Sequence, residues 1–147
     1  MTRFDDTVIP PTAKFLGYTG VLPFLACDLV AVFGAGDFST YALSSFLAYS
    51  AIILSFLGGI RWGVATLMDQ FQGRAMIISV LPGLWAFACL IWPDSVIAVW
   101  GLMLGFIFLG MADWLLPAPG SAVWMRALRV RLSLAVVFCH LALLISL

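Results

Sequence analysis

Long apolar runs separated by short polar joints dominate the chain. They fall at roughly Phe15–Phe33, Ala42–Thr66, Ala75–Ile91, Ser95–Leu116 and Leu128–Leu147. The runs are continuously apolar and do not alternate, so they predict helices rather than the strands of a β-barrel. Each is close to the ~20 residues that cross a ~30 Å hydrocarbon core. The joints carry chain breakers: Gly34 to Asp37, Gln70 to Gly73, Trp92-Pro93-Asp94, and Pro117 to Gly120. The predicted fold is all-α, a single transmembrane domain of five helices over residues 15–147, after an N-terminal segment, 1–14. The first run does not read as a cleavable signal, because it follows fourteen mostly polar residues and contains Asp28.

Composition narrows the class further. Of 147 residues, 64% are hydrophobic and only 10% charged, against about 25% charged in soluble domains. That excludes a water-covered globule, a disordered chain and a basic nucleic-acid-binding domain; no nucleic acid is expected as a partner. Cys27, Cys89 and Cys139 lie singly inside apolar runs, a pattern of neither a disulfide framework nor a zinc site.

Net charge is zero, but the distribution is lopsided. With five spans, Arg3, Lys14, Arg61, Arg74, Arg126, Arg129 and Arg131 all fall on one side. The opposite side holds Asp37, Asp94 and the C-terminus. The positive-inside rule then predicts a cytoplasmic (or matrix) N-terminus and an outer C-terminus. Arg126, Arg129 and Arg131 read as an interfacial basic group. Trp124 and Met125 beside Arg126 suggest a short segment lying in that interface before the last helix.

Two stretches look alike: Phe56-Leu57-Gly58-Gly59-Ile60-Arg61-Trp62 and Phe108-Leu109-Gly110-Met111-Ala112-Asp113-Trp114. Both read F-L-G-x-x-charge-W near the inner end of a span. Val21-Leu22-Pro23 and Val80-Leu81-Pro82 add a shorter match. A parallel repeat of helix pairs and coincidence in a Phe/Leu/Gly-rich text both stay open. By helical rise, Arg61 and Asp113 sit at equal depth, about 6–7 Å inside the inner boundary. Asp113 is too short to reach water, so an Arg61–Asp113 ion pair is expected.

Asp28 and His140 are the ionisable groups deepest in the spans. A hydrogen bond between them is expected, either fixing the packing or forming a proton or ion step. On the last helix, Arg129, Ser133 and His140 share one face. In the second run Ser44, Ala48, Ser55, Gly59 and Gly63 recur at i+4 or i+7, a small-residue face on which another backbone can approach closely. Arg61 lies about 200° around the helix from Gly59 and Gly63. With two faces needing protein, this helix is expected at the centre. Gly101 and Gly105 give the fourth span a second small-residue step. Intramolecular packing is the first reading of both steps, and a homodimer seam is the alternative.

Walker-type loops, H-E-x-x-H, G-x-S-x-G and paired carboxylates at catalytic spacing are absent. No catalytic residue, metal or cofactor is therefore expected, and the chain does not read as an enzyme.

Three blocks carry a family resemblance: Leu16 through Phe24 (LGYTGVLPF), Tyr49 through Gly63 (YSAIILSFLGGIRWG), and Asp113 through Trp124-Met125-Arg126-Ala127-Leu128-Arg129. Together they resemble an uncharacterised family of small bacterial inner-membrane proteins related to mitochondrial transmembrane protein 69. The resemblance spans most of the chain, and LSFLGGIRWG is its most specific part. It implies a five-helix protein of the bacterial cytoplasmic membrane, or of the mitochondrial inner membrane in a eukaryote. It carries no activity with it, and Asp28 and His140 lie outside its blocks.

The leading functional expectation is an accessory, assembly or scaffold subunit acting through protein or lipid contacts, in a partner complex or a homo-oligomer. The alternative is a small oligomeric transporter or channel using Asp28, His140 or the Arg61–Asp113 pair. A haem- or quinone-binding redox protein is a third reading. A water-filled cavity reaching Asp28 would favour transport, and a dry core with every polar group paired would favour the scaffold.

Overall fold

The computed structural model describes residues 7–67, 73–116 and 121–147. Six helices form in them: α1 (Pro11–Thr19), α2 (Leu22–Phe33), α3 (Asp37–Thr66), α4 (Gly73–Leu90), α5 (Ser95–Leu115) and α6 (Val123–Ser146). The helices α1 and α2 together make one span, so five are long and apolar enough to cross a membrane.

The first span is broken, where the apolar pattern predicts a single run. Pro23 has no N–H for the carbonyl of Thr19, and α1 ends at Thr19. The chain stays in right-handed helical geometry through Gly20 and Val21, so the break tightens a turn without reversing direction. The Tyr49 hydroxyl of α3 donates to the Gly20 carbonyl at 2.9 Å. Pro82 sits inside α4 without ending it.

Four helix starts lie earlier than their apolar runs, α1 by four residues, α4 by two, and α3 and α6 by five each. Helix α3 begins at Asp37, five residues before Ala42, because a carboxylate suits the first helical turn. Gly36 precedes it at φ +59°, a conformation that favours glycine. Helix α6 begins at Val123 and runs without interruption through Trp124, Met125 and Arg126. The separate interfacial segment expected there is not formed. Met, Arg, Ala and Leu are good helix formers, and the arginines end the apolar run without ending the helix. By contrast α5 starts where expected, with the Asp94 carboxylate accepting from the Val96 and Ile97 amides at 2.8 and 3.1 Å. The joints at 68–72 and 117–120 lie outside the described residues.

In the bundle α3 packs on α2, α4 and α5, while α6 packs on α5, α2 and α1. The core is built on Phe24, Phe46, Leu54, Leu102, Phe106 and Leu143, all fully buried. Along α3 the buried line is Ala51, Leu54, Gly58, Arg61 and Ala65. The expected small-residue face is elsewhere: Ser44, Ala48, Ser55, Gly59 and Gly63 are all exposed. Nothing lies within 4 Å of where a Cβ on Gly59 or Gly63 would be. The glycine that admits a neighbour is Gly58, where a Cβ would stand 2.5 Å from the Ser79 carbonyl oxygen of α4. The helix therefore has one packed face, not two. The second step does pack inside the chain: a Cβ on Gly101 would meet Cys89, and one on Gly105 would meet Leu54 and Trp85.

Candidate functional site

Three helix ends converge on Asp113. It is the third residue from the end of α5, while Arg61 lies in the last two turns of α3 and Arg129 in the second turn of α6. Arg61 Nη1 donates to Asp113 Oδ1 at 2.7 Å. Arg129 donates to both carboxylate oxygens, Nε to Oδ2 at 2.8 Å and Nη2 to Oδ1 at 3.2 Å. Backbone carbonyls take two more bonds, Arg61 Nη2 to Leu116 O at 2.7 Å and Arg129 Nη2 to Leu57 O at 3.1 Å. Exposure is 3% for Arg61, 5% for Asp113 and 6% for Arg129. The group is a buried ionic lock tying α3, α5 and α6. Its bidentate arm is the fork geometry that guanidinium and carboxylate share.

The Arg61–Asp113 pair is legible in the sequence, but the pattern does not assign the second arginine to it. Spacing alone groups Arg129 with Arg126 and Arg131 at the interface. Arg126 and Arg131 stay out of the lock: Arg131 is exposed, and Arg126 is half-buried with its guanidinium 5.2 Å from the Trp114 ring centre. The signal that separates Arg129 is the polar line it forms with Ser133 and His140, all three of them buried.

The lock also collects the positive charge. Arg61, Arg126, Arg129 and Arg131 lie at that end of the bundle, and Arg74 opens α4 just after α3 ends. Helix α1, which carries Lys14, packs through Gly17 against Leu128 and Leu132 of α6.

A second polar group lies deeper. The expected Asp28–His140 bond is not formed. The Asp28 carboxyl lies beside Cys139, and Asp28 Oδ1 has no hydrogen-bond partner. Neighbouring residues on a helix point about 100° apart, so Cys139 and His140 of α6 meet different neighbours. The His140 ring enters an aromatic enclosure, 4.7 Å from Phe46, 5.5 Å from Phe106 and 6.0 Å from Phe24 between ring centres. Its Nδ1 is 2.9 Å from the Val136 carbonyl. A carbonyl only accepts, so that nitrogen carries the proton. Nε2 has no partner, and neither do the hydroxyls of Ser50 and Ser133.

Residues 9–145 match the family described as "Protein of unknown function (DUF3429)". The chain belongs to the DUF3429 family. It is also similar to two curated proteins. Transmembrane protein 69 of Xenopus tropicalis is 29% identical over 99% of this chain and 60% of its own length. Transmembrane protein 69 of Mus musculus is 29% identical over 82% of the chain and 50% of its own length. The DUF3429 chain thus spans between half and three fifths of the curated relatives it matches. No solved structure matches it. It is a multi-pass membrane protein. Its Arg61, Asp113 and Arg129 gather in the ionic lock, and Asp28 and His140 lie buried apart from it.

Proposed function

We propose that this DUF3429 protein is a non-catalytic accessory, assembly or scaffold subunit acting through contacts with membrane partners or lipid. The observation that carries this reading is the division of labour on α3. Its inner face is committed to the bundle through Leu54, Gly58 and Arg61, while Ser55, Gly59 and Gly63 face outward. Small residues let a second transmembrane backbone approach closely. The ionic lock supports a stable platform, because separating one partner of a buried pair leaves an uncompensated charge. The cations gathered at the lock support an N-terminus on the cytoplasmic or matrix side, in the bacterial cytoplasmic membrane or the mitochondrial inner membrane.

Purification from the native membrane in mild detergent, followed by mass spectrometry, tests the reading. A stoichiometric partner complex is expected. A homogeneous homo-oligomer without partners would move the assignment to transport. One observation favours that second reading: Asp28 Oδ1 and His140 Nε2 are buried without partners, and ionisable groups inside a span are costly. None of the four cavities described in the bundle is lined by either residue.

A further inference from the structure

Beside the ionic lock is a crevice bounded by α3, α5 and α6, lined among others by Arg61, Asp113, Met125, Arg126 and Arg129. Three arginines and one aspartate line this space, so positive charge is in excess by two among the described residues lining it. The lock does not use all its donors: Arg61 Nε and Arg129 Nη1 are buried with no partner. A buried charged donor without an acceptor carries its full desolvation cost. The surroundings therefore favour an incoming anion.

We infer that this crevice binds a phosphate group at the membrane–water boundary. Guanidinium forks match phosphate oxygens in geometry and charge. The interior of the crevice is narrow, with room for about one water molecule. A phosphate group would sit at the mouth, its charge balanced by the arginines that line the crevice. Arg126, one of the lining residues, is half-buried and held over the exposed Trp114 ring. Tryptophan and arginine side by side are typical of the headgroup layer. The same chemistry is offered by an anionic lipid headgroup and by free phosphate.

The full chain in neutral-detergent micelles is followed by its thermal unfolding midpoint, since a ligand that binds only the folded state raises it. The probes are phosphatidylglycerol, diacylglycerol as the phosphate-free lipid, and inorganic phosphate against chloride at equal ionic strength. The midpoint is expected to rise with phosphatidylglycerol and not with diacylglycerol. Arg126→Gln, which leaves the lock intact, should weaken the apparent affinity roughly tenfold, the usual consequence of losing one charged hydrogen-bond donor. Arg129→Lys should weaken it too, because the fork is lost. A rise with inorganic phosphate that shows the same Arg126→Gln loss supports the site with free phosphate as the source. No rise with either phosphate probe, or a rise that Arg126→Gln leaves unchanged, overturns the proposal.

Discussion

Replacing Asp113 by Asn removes the one negative charge of the lock and changes its size very little. Two accounts of the lock give different magnitudes. Asp113 accepts three hydrogen bonds from two arginines. If only interhelical hydrogen bonds mattered, at ~0.6 kcal/mol each, the loss would be about 2 kcal/mol. If the charges matter, Asp113→Asn strands two guanidinium groups that are 3% and 6% exposed, and breaking a buried pair costs ~3–5 kcal/mol. The second effect should win, because an amide offers one acceptor where three donors converge. Arg61→Met is the informative contrast. It leaves Arg129 bidentate on Asp113, removes the unpartnered Nε, and replaces a buried charge with an apolar chain. We expect it to cost less than Asp113→Asn although it also deletes two hydrogen bonds. Exchanging the pair, Arg61→Asp with Asp113→Arg, should recover part of the Asp113→Asn loss. Reversible unfolding in mixed micelles with increasing dodecyl sulfate measures all three. Equal losses for Asp113→Asn and Arg61→Met, with no recovery on exchange, would falsify the lock as an electrostatic unit.

The same titration separates the two adjacent glycines. Gly58→Ala puts a methyl group against the Ser79 carbonyl and should destabilise clearly, because backbone must move. Gly59→Ala meets nothing and should be neutral, or stabilising by up to ~1 kcal/mol from helix propensity; the opposite order would mean that the outward face is packed in the isolated protein. Reporter fusions at both ends test orientation, with a cytoplasmic N-terminus and an outer C-terminus expected; a periplasmic N-terminus would contradict the charge argument.

The spans are legible because uninterrupted apolar runs have few alternatives at this composition. Arg61 and Asp113 are legible for an energetic reason: charges at matched depth in a membrane need each other. What the pattern does not supply is direction. A G-x-x-x-G step reports a spacing, and Gly59–Gly63 has that spacing on a face with no neighbour in the chain. The correct face follows from the same arithmetic. Arg61 is about 200° from those glycines; if the charge must be inside, they point out, and Gly58, which shares the face of Leu54 and Arg61, points in. Arg129 is obscured because the orientation rule counts every arginine near a span end as facing headgroups. The ends of α1 and α6 depart from the apolar runs because hydropathy marks where apolar sequence stops, whereas α1 ends ahead of Pro23 and α6 runs through its arginines.

The deeper polar group differs from the lock in a way that separates structure from function. At the lock each charged residue makes at least two hydrogen bonds. At the deeper group, Asp28 has one carboxyl oxygen without a partner, and the His140 ring nitrogen Nε2 is enclosed by three phenylalanines. An unsatisfied buried polar group costs ~1–3 kcal/mol, whereas replacing it with an apolar group of the same shape is nearly neutral. His140→Phe should therefore leave stability within about 1 kcal/mol of the parent, or raise it, since the Val136 carbonyl it bonds belongs to its own helix. Asp28→Asn should be similarly mild, because the amide keeps the size of a carboxyl that has an unpartnered oxygen. If both variants fold and also retain the partner complex, the group is packing that the bundle tolerates. If both fold but lose proton or ion flux in reconstituted vesicles, the cost is being sustained for transport, and the accessory reading fails. Strong destabilisation by either variant would refute the premise, because it would require a satisfied interaction where the geometry has an unpartnered atom.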